Sequence, residues 1–356
     1  MRTYALLAPL AALGIGLLGL VASVLAQPLL FTLNTPNPKR TLAQAQINPG
    51  DFIVAEAFTD KLVRVTPDGV RTEIFSFAPG TVPTGVTIDS GGDFVVGERD
   101  SDKLSRVTPA GVRTEIFSFA PWSEPHQVAI DNNGDFIVIE RHALSRITPG
   151  GVRTVIYSFP EGPVPRGVAT DSNGDFVVSE TEAGKLVRVT PGGVRTEIFS
   201  FPGGAASLPH YVAIDSTGDF IVPTALTDKL FRVTPAGIGT VVFSFPAGTY
   251  PTGVAIDSNG DFIVTGGWAD KLFRVTPGGV STVISSFASG TNPSGVAVVP
   301  GAPTPTPTAV PVGGIAELPD VSDSSGLSYI ALAGLAAAAL LALTAGAWYA
   351  RRRWLS

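Results

Sequence analysis

The sequence predicts an all-β repeat protein, and three observations support this prediction. A Gly-Asp-Phe triplet recurs six times, with its aspartates at Asp51, Asp93, Asp135, Asp175, Asp219 and Asp261. The steps between these aspartates are 42, 42, 40, 44 and 42 residues, a spacing typical of repeat architectures. The 356 residues also include 40 glycines and 30 prolines, which suits many tight turns between short strands.

Each repeat contains four short apolar runs that are separated by turn residues. In the copy at 251–287 these runs are 254–256, 262–264, 271–275 and 280–287. They are rich in Val, Ile and Phe and are bounded by Asp-x-x-Gly and Thr-Pro-x-Gly, so they predict four strands, which we label a to d. Four antiparallel strands in about 42 residues are typical of one blade of a β-propeller.

The number of copies of each strand predicts how the ring closes. Strands b, c and d occur six times, whereas strand a precedes only five repeats, at 85–89, 127–131, 167–171, 211–215 and 253–257. The sixth strand a is at 293–298, after the last strand d. We therefore expect it to pair with the first repeat and to close a six-bladed β-propeller over residues 47–300. Closure removes the exposed edges of an open array.

The two ends of the chain predict secretion and membrane anchoring. Residues 1–26 combine Arg2, an apolar run and small residues, as a secretory signal peptide does, with an uncleaved anchor as the alternative. The other outer segments are a leader at 27–46, a Pro/Thr-rich then Gly/Ser linker at 301–327, a transmembrane helix at 328–350 and a basic cytoplasmic tail at 351–356. Because basic residues stay on the cytoplasmic side, the propeller is expected on the extracytoplasmic side of the cell membrane.

The C-terminal segment also has a resemblance of its own. Leu318-Pro319-Asp320, an apolar stretch and Arg351-Arg352-Arg353 resemble the wall-sorting signals of Gram-positive surface proteins. Val321-Ser322 stands where that family has the Thr-Gly bond that a sortase cuts. We therefore expect a helix retained in the membrane rather than covalent attachment to the wall.

Composition excludes several classes of function. The net charge is −6 and no basic groove pattern is present, so no nucleic-acid partner is expected. The chain contains no cysteine, which excludes disulfides, thiolate metal sites and a cysteine nucleophile. The ectodomain is expected to be monomeric.

Loop lengths separate two faces of the predicted ring. The a–b and c–d turns keep one length in all six repeats and form a uniform face. The b–c and d–a loops form the opposite, variable face, which carries every change of length: a b–c loop two residues shorter in the third blade and a d–a loop two residues longer before the fifth. Variable loops on a rigid scaffold are where function usually lies.

Residues that recur in every blade are interpreted as structural. Strand c carries an arginine in all six repeats, and strand d carries Arg and Glu in several, which we interpret as cross-strand charge pairs. The turn at 171–175 looks like the start of a calcium loop, but it lacks the downstream Glu and recurs as a hairpin turn.

Residues that break the repeat are the functional candidates. The position after the proline that opens strand a reads Thr84, His126, Arg166, His210, Thr252 and Ser294. The third histidine of the chain, His142, lies in the shortened loop of the same blade as His126. On the same face, strand b ends in Glu at 56, 98, 140 and 180, and Trp122, Trp268, Tyr211 and Tyr250 lie in or beside the loops.

These side chains suggest two kinds of chemistry at the channel mouth. His126, His210 and Arg166 are candidates for anion binding or for proton transfer, since histidine titrates near neutral pH. Glu124, Glu140 and Glu180 are candidate ligands for a divalent cation, Mg or Ca. The alternative is drift of the repeat on a solvated surface, and the exposed aromatics suit either carbohydrate or peptide stacking or packing under the loops.

Two family resemblances bear on function. Residues 251–264, Pro-Thr-Gly-Val-Ala-Ile-Asp-Ser-Asn-Gly-Asp-Phe-Ile-Val, resemble the NHL and gluconolactonase-like propellers, a likeness that covers about 250 residues. The Lys-Leu-x-Arg-Val-Thr-Pro-x-Gly step is similar to the repeats of streptogramin (virginiamycin B) lyases. Glu124-Pro125-His126 and Pro209-His210 resemble that family's active-site elements, which implies magnesium and acid–base roles for His126 and His210.

Three hypotheses follow for the whole chain. The first is a membrane-anchored binding module that recognises an extracellular ligand or protein through its variable face. The second is a metal-dependent lyase or lactone hydrolase. The third is a structural surface protein without a specific site.

Overall fold

The computed structural model describes residues 46–301, which form six four-stranded antiparallel sheets. The innermost strands, a, are β4 (Pro83–Ile88), β8 (Val128–Ile130), β12 (Pro165–Thr170), β16 (Ala213–Ile214), β20 (Pro251–Ile256) and β24 (Pro293–Val298). Strands b are β1 (Phe52–Glu56), β5 (Phe94–Glu98), β9 (Phe136–Ile139), β13 (Phe176–Glu180), β17 (Phe220–Thr224) and β21 (Phe262–Gly266).

The two outer strands of each sheet complete the blades. Strands c are β2 (Lys61–Val65), β6 (Lys103–Val107), β10 (Ala143–Ile147), β14 (Lys185–Val189), β18 (Lys229–Val233) and β22 (Lys271–Val275). Strands d are β3 (Arg71–Ser76), β7 (Arg113–Ser118), β11 (Arg153–Ser158), β15 (Arg195–Ser200), β19 (Gly239–Ser244) and β23 (Ser281–Ser286). One 3₁₀ turn, Gly204–Ser207, lies in the d–a loop before the fifth blade.

The predicted ring closure is confirmed. The first blade has the order β24-β1-β2-β3, and β24 pairs antiparallel with β1 in the register Phe52↔Val298 and Val54↔Val296. The last innermost strand therefore completes the sheet built from the first repeat. The all-β, six-bladed propeller expected from the sequence is the observed fold.

The Gly-Asp-Phe triplet serves the packing of the blades. Its glycine turns the chain with a left-handed φ, +82 to +87° in the six copies, which a residue without a Cβ adopts freely. Its phenylalanine is buried between neighbouring blades in all six repeats. Six separate apolar clusters, one between each pair of adjacent blades, form the core.

The recurrent charged residues pair within their own blades, as predicted. Each strand-c arginine contacts an aspartate of the a–b turn, for example Arg106 and Asp89 at 2.9 Å. In the turn that looks like a calcium loop, Asp171 accepts backbone hydrogen bonds from Asn173 and Asp175, and it lies 3.4 Å from Arg188. Its carboxylate thus has turn and ion-pair partners.

The segments outside 46–301 are not described by the structure. The predicted signal peptide, leader, linker, transmembrane helix and tail, at 1–26, 27–46, 301–327, 328–350 and 351–356, therefore lie wholly or almost wholly outside the described residues. Within the described part of the chain no helix is long and apolar enough to cross a membrane.

Candidate functional site

Three of the six predicted site residues meet in one cavity. His126, Arg166 and His210 stand where the innermost strands of the third, fourth and fifth blades begin, and together they line a cavity of about 260 Å³ at the mouth of the central channel. The cavity opens on the variable face, and all six blades contribute to its wall. This convergence is the arrangement that the repeat-breaking residues predicted.

A glycine in the innermost strand explains why the regular blades pack so closely. Pro-x-Gly-Val opens strand a in four blades, with its glycine at Gly85, Gly167, Gly253 and Gly295. A Cβ on any of these four glycines would overlap a backbone carbonyl oxygen of the next blade. For Gly85 this oxygen belongs to His126, and for Gly167 it belongs to His210. No side chain fits at this position while the strand keeps its regular path.

The two blades that carry histidine have lost this glycine. The motif becomes Pro-His-Gln-Val with Gln127 and Pro-His-Tyr-Val with Tyr211. There the backbone N–H donates to the next blade instead, Gln127 to the carbonyl of Arg166 at 3.3 Å and Tyr211 to that of Thr252 at 3.2 Å. The regular pairing is lost, so β8 and β16 have only three and two residues against six elsewhere. The sequence prediction of full strands at 127–131 and 211–215 was therefore wrong in length.

The side chain of Gln127, the residue after His126, crosses the central channel. Its Nε2 donates to Val212 O at 3.1 Å, and its Oε1 accepts from the backbone N–H of Val168 and Val212 at 2.9 and 3.1 Å. One glutamine thus ties the third, fourth and fifth blades together across the channel. It lines the channel beyond, a cavity of about 400 Å³ walled mainly by apolar residues of the innermost strands. Sequence reasoning missed Gln127. The signal that could have identified it is that Gln127 replaces the glycine of the Pro-x-Gly-Val motif.

Both histidines are buried and neutral, and each has an unpartnered nitrogen. His126 is 2% exposed and His210 is 7% exposed, and neither Nε2 has a hydrogen-bond partner in the part of the chain that the structure describes. Burial, reinforced by Arg166, lowers the pKa of His210 to about 3. Burial also holds the pKa of His126 well below its usual value, with Arg166, Arg99 and His210 adding to the effect.

Arg166 supplies a cation without a counter-ion. Every other arginine of residues 46–301 has a carboxylate within 4.0 Å, whereas Arg166 has none, and its Nε is buried without a hydrogen-bond partner. Arg99, which sequence reasoning missed, also lines the cavity, but it pairs with Asp100 at 2.6 Å. Among residues 46–301, no Asp or Glu lines this cavity. The arrangement therefore offers hydrogen-bond donors and positive charge to an incoming group.

An aromatic wall stands above the fifth, sixth and first blades. Tyr250 meets His210 edge to face, with ring centroids 5.7 Å apart, and it stacks on Trp268 at 4.1 Å with an angle of 8° between the rings. Trp268 and Phe58 are 63% and 62% exposed although both line the cavity. Phe58 was not singled out by the sequence; it occupies the b–c loop position of the first blade that Trp268 occupies in the sixth.

The predicted metal ligands do not come together. Glu140 pairs with Arg153 at 2.8 Å and Glu180 with Arg195 at 2.7 Å, because each carboxylate turns toward strand d of its own blade. Glu124 pairs with Arg141 at 2.7 Å and lines a separate cavity beside Trp122.

The rest of the predicted donor set is equally scattered. His142 is exposed and does not line the cavity. Across residues 46–301 no group of three or more His, Cys, Asp or Glu side chains is placed to hold a metal ion. The described residues thus do not form the Mg or Ca site that the sequence suggested.

Solved structures share this fold at low sequence identity. A catalytically inactive virginiamycin B lyase from Staphylococcus aureus with quinupristin is 22% identical, with a TM-score of 0.56 over 72% of this chain and 94% of that one. The nidogen/laminin complex has 17% identity and a TM-score of 0.60 over 70% and 98%.

A gluconolactonase from Xanthomonas campestris is also similar, with 14% identity and a TM-score of 0.52 over 61% and 79%. No protein-family model and no curated protein matches the chain. The neighbours confirm the kind of propeller that the repeats resemble. At these identities they establish the fold and not the chemistry.

Proposed function

We propose that this propeller binds a small organic anion in the cavity at its channel mouth, as a module anchored to the outside of the cell membrane. The observation that carries the proposal is the group of Arg166, His126 and His210. Arg166 has no carboxylate partner, and each histidine has an unpartnered Nε2. A buried polar group without a partner costs free energy, and a carboxylate would satisfy all three side chains at once.

The rim of the cavity is held in place before any ligand arrives. Asp228 accepts from the backbone N–H of Tyr250 at 2.7 Å, and Asp270 does the same for Asn292 at 2.8 Å. Tyr250 and Asn292 have φ values of 53° and 51°, in the left-handed region that side chains rarely adopt. The same hydrogen bond and left-handed φ occur at Val82 and Glu124, so this contact belongs to the repeat, and it fixes the shape of the rim in advance of any ligand.

Binding is favoured over catalysis by the state of the histidines. A general base works best when its pKa lies near the operating pH, and the pKa of His210 is about 3. The carboxylates that a metal-assisted lyase or hydrolase would need are paired with arginines outside the cavity. A neutral imidazole beside a guanidinium is suited to donating a hydrogen bond to a bound anion.

Replacing Arg166 tests this function directly. Arg166→Gln is expected to weaken binding of acetate or lactate about 30-fold or more, because it removes the charge partner of a buried anion. Isothermal titration calorimetry on the full chain measures this effect. Arg141→Gln is the matched control, since Arg141 is an exposed arginine that lies outside the cavity. If no organic anion binds the wild type, or if both variants bind like it, the proposal is wrong.

The location rests on the predicted signal peptide at 1–26 and helix at 328–350. The backbone N–H of Gly50 donates a hydrogen bond to the carbonyl of Val299 at the uniform face. Both ends of the described chain therefore lie at that face, opposite the cavity. Because the chain lacks cysteine, Ser172→Cys on intact cells is expected to react with a membrane-impermeant maleimide. Ser356→Cys, in the predicted cytoplasmic tail, should react only after permeabilisation. The reverse pattern would contradict the proposed orientation.

A further inference from the structure

We infer that the anion is a sugar carboxylate, a pyranose ring that bears a carboxyl group, with its ring held between the hydroxyl groups of the wall and the Trp268 platform. This inference rests on the proposed function, because it takes the carboxylate at Arg166, His126 and His210 as given. It adds the chemistry of the rest of the ligand. Three features of the cavity wall lead to it.

The first feature is a set of hydroxyl oxygens with spare acceptor capacity. Thr84 Oγ1 lies 3.1 Å from Pro125 O, and Thr252 Oγ1 lies 3.1 Å from Thr265 Oγ1 and 3.3 Å from Ser294 O, so each hydroxyl has an acceptor within the protein for its proton. A hydroxyl oxygen that has donated its proton still accepts. Both threonines line the cavity, where these oxygens can accept from the hydroxyl groups of a ligand.

The second feature is a pair of groups that can donate or accept. Tyr211 Oη and Ser294 Oγ lie 3.4 Å apart, a long hydrogen bond that either atom can donate. Asn292 adds an amide that carries both donors and an acceptor. A ligand that matches this wall needs several hydroxyl groups in addition to its carboxylate. A simple aromatic or aliphatic carboxylate leaves these wall groups unmatched.

The third feature is the aromatic platform. Trp268 stacks on Tyr250 over one face and remains 63% exposed, so its indole presents a flat apolar surface at the edge of the cavity. The C–H groups on one side of a pyranose ring form a surface of matching shape, which packs on an aromatic ring while the hydroxyl groups point elsewhere. Inorganic phosphate or sulfate would make no use of this surface.

The size of the cavity limits the ligand to one ring. Its volume of about 260 Å³ lies just below the usual range of ligand pockets, roughly 300–1,000 Å³. A single hexuronic acid, either free or as the terminal residue of an oligosaccharide, is the class of ligand that brings a carboxylate, several hydroxyl groups and an apolar ring face into that space.

Calorimetry on the full chain tests the inference with D-glucuronate and D-galacturonate. At least one of them is expected to bind about 10-fold tighter than acetate or benzoate, and D-glucose and D-galactose, which lack the carboxylate, are expected not to bind. Trp268→Ala is expected to weaken the uronate about 5- to 10-fold, the loss of one stacking contact. Trp122→Ala is the matched control, because Trp122 is 79% exposed and lies outside this cavity.

The outcomes separate this inference from the proposed function. If acetate binds through Arg166 as tightly as the uronates do, or if Trp268→Ala leaves uronate affinity unchanged, the sugar inference is wrong and the anion site stands. If no anion binds, both are wrong. A second titration with a digalacturonate and a longer oligogalacturonate identifies the source of the ligand: tighter binding than the monomer indicates a terminal polysaccharide residue, and weaker binding a free sugar acid.

Discussion

Gly295→Ala is expected to lower the free energy of unfolding by about 2–3 kcal/mol, although it adds a single methyl group. Gly295 lies in β24, the strand that closes the ring, and a Cβ there would overlap the backbone carbonyl of Thr84 in the second blade. Backbone atoms cannot move aside as a flexible side chain can, so the first and second blades must separate. For a domain of this size the change corresponds to a fall in melting temperature of about 5–10 °C, which differential scanning calorimetry measures.

Gly278→Ala is the matched control for this experiment. Gly278 lies in a c–d turn, where an added Cβ meets nothing closer than Thr276 Oγ1 at 3.8 Å. The second and fifth blades already carry Ala110 and Ala236 at this position of the repeat. The control should therefore melt within about 2 °C of the wild type. Equal melting temperatures for the two variants would show that close approach between innermost strands does not hold the ring together.

The glycine of the Pro-x-Gly-Val motif, to which Gly295 belongs, links the fold to the site. Four blades keep it and have regular innermost strands, whereas the blades with Gln127 and Tyr211 have short ones. The loss of regular pairing is what lets the backbone of these two blades donate to its neighbours. In the same two blades His126 and His210 lie beside Arg166. The cavity is thus formed where the repeat gives up its closest packing.

The period of the sequence was sufficient to predict the ring, because one four-stranded unit recurs with constant turns and the displaced strand a has only one place to pair. It was also sufficient to predict that His126, Arg166 and His210 share a face. It was not sufficient to predict where the carboxylates of Glu140 and Glu180 point, because that direction is set by their ion pairs with Arg153 and Arg195. The sequence did contain a signal for these ion pairs, because the strand-b Glu and the strand-d Arg are absent from the same two blades. Thr224 and Gly266 replace the Glu there, and Gly239 and Ser281 replace the Arg.

The contacts that define the cavity depend on geometry that spacing alone does not encode. The stack of Tyr250 on Trp268 joins a d–a loop to the b–c loop of the next blade. The left-handed φ of Tyr250 that permits it is fixed by Asp228 from a different loop. A sequence pattern places these residues on one face but does not say which loops touch.

The protein is expected to lose stability in mild acid, and His210 is expected to account for about 3 kcal/mol of the loss between pH 7 and pH 4. The pKa of His210 is lowered to about 3 in the folded chain, against 6.5 in the unfolded chain. Between these two pH values the His210 imidazole is protonated in the unfolded chain and neutral in the folded one. The free energy of unfolding therefore falls as the pH drops below about 6.5, and His210 causes no further change below about pH 3. His126 acts in the same direction.

Thermal unfolding of wild type, His210→Asn and His142→Asn at pH 7 and pH 4 isolates this effect from the protonation of carboxylates. The fall in melting temperature from pH 7 to pH 4 should be smaller in His210→Asn by about 6–12 °C. His142 is exposed and lies outside the cavity, so His142→Asn should keep the wild-type acid sensitivity. If His210→Asn keeps the wild-type acid sensitivity too, His210 is not a buried neutral group in the folded protein. The same measurement bears on function: a bound carboxylate stabilises the protonated imidazole, so a saturating anion should reduce the acid sensitivity of the wild type and leave that of Arg166→Gln unchanged.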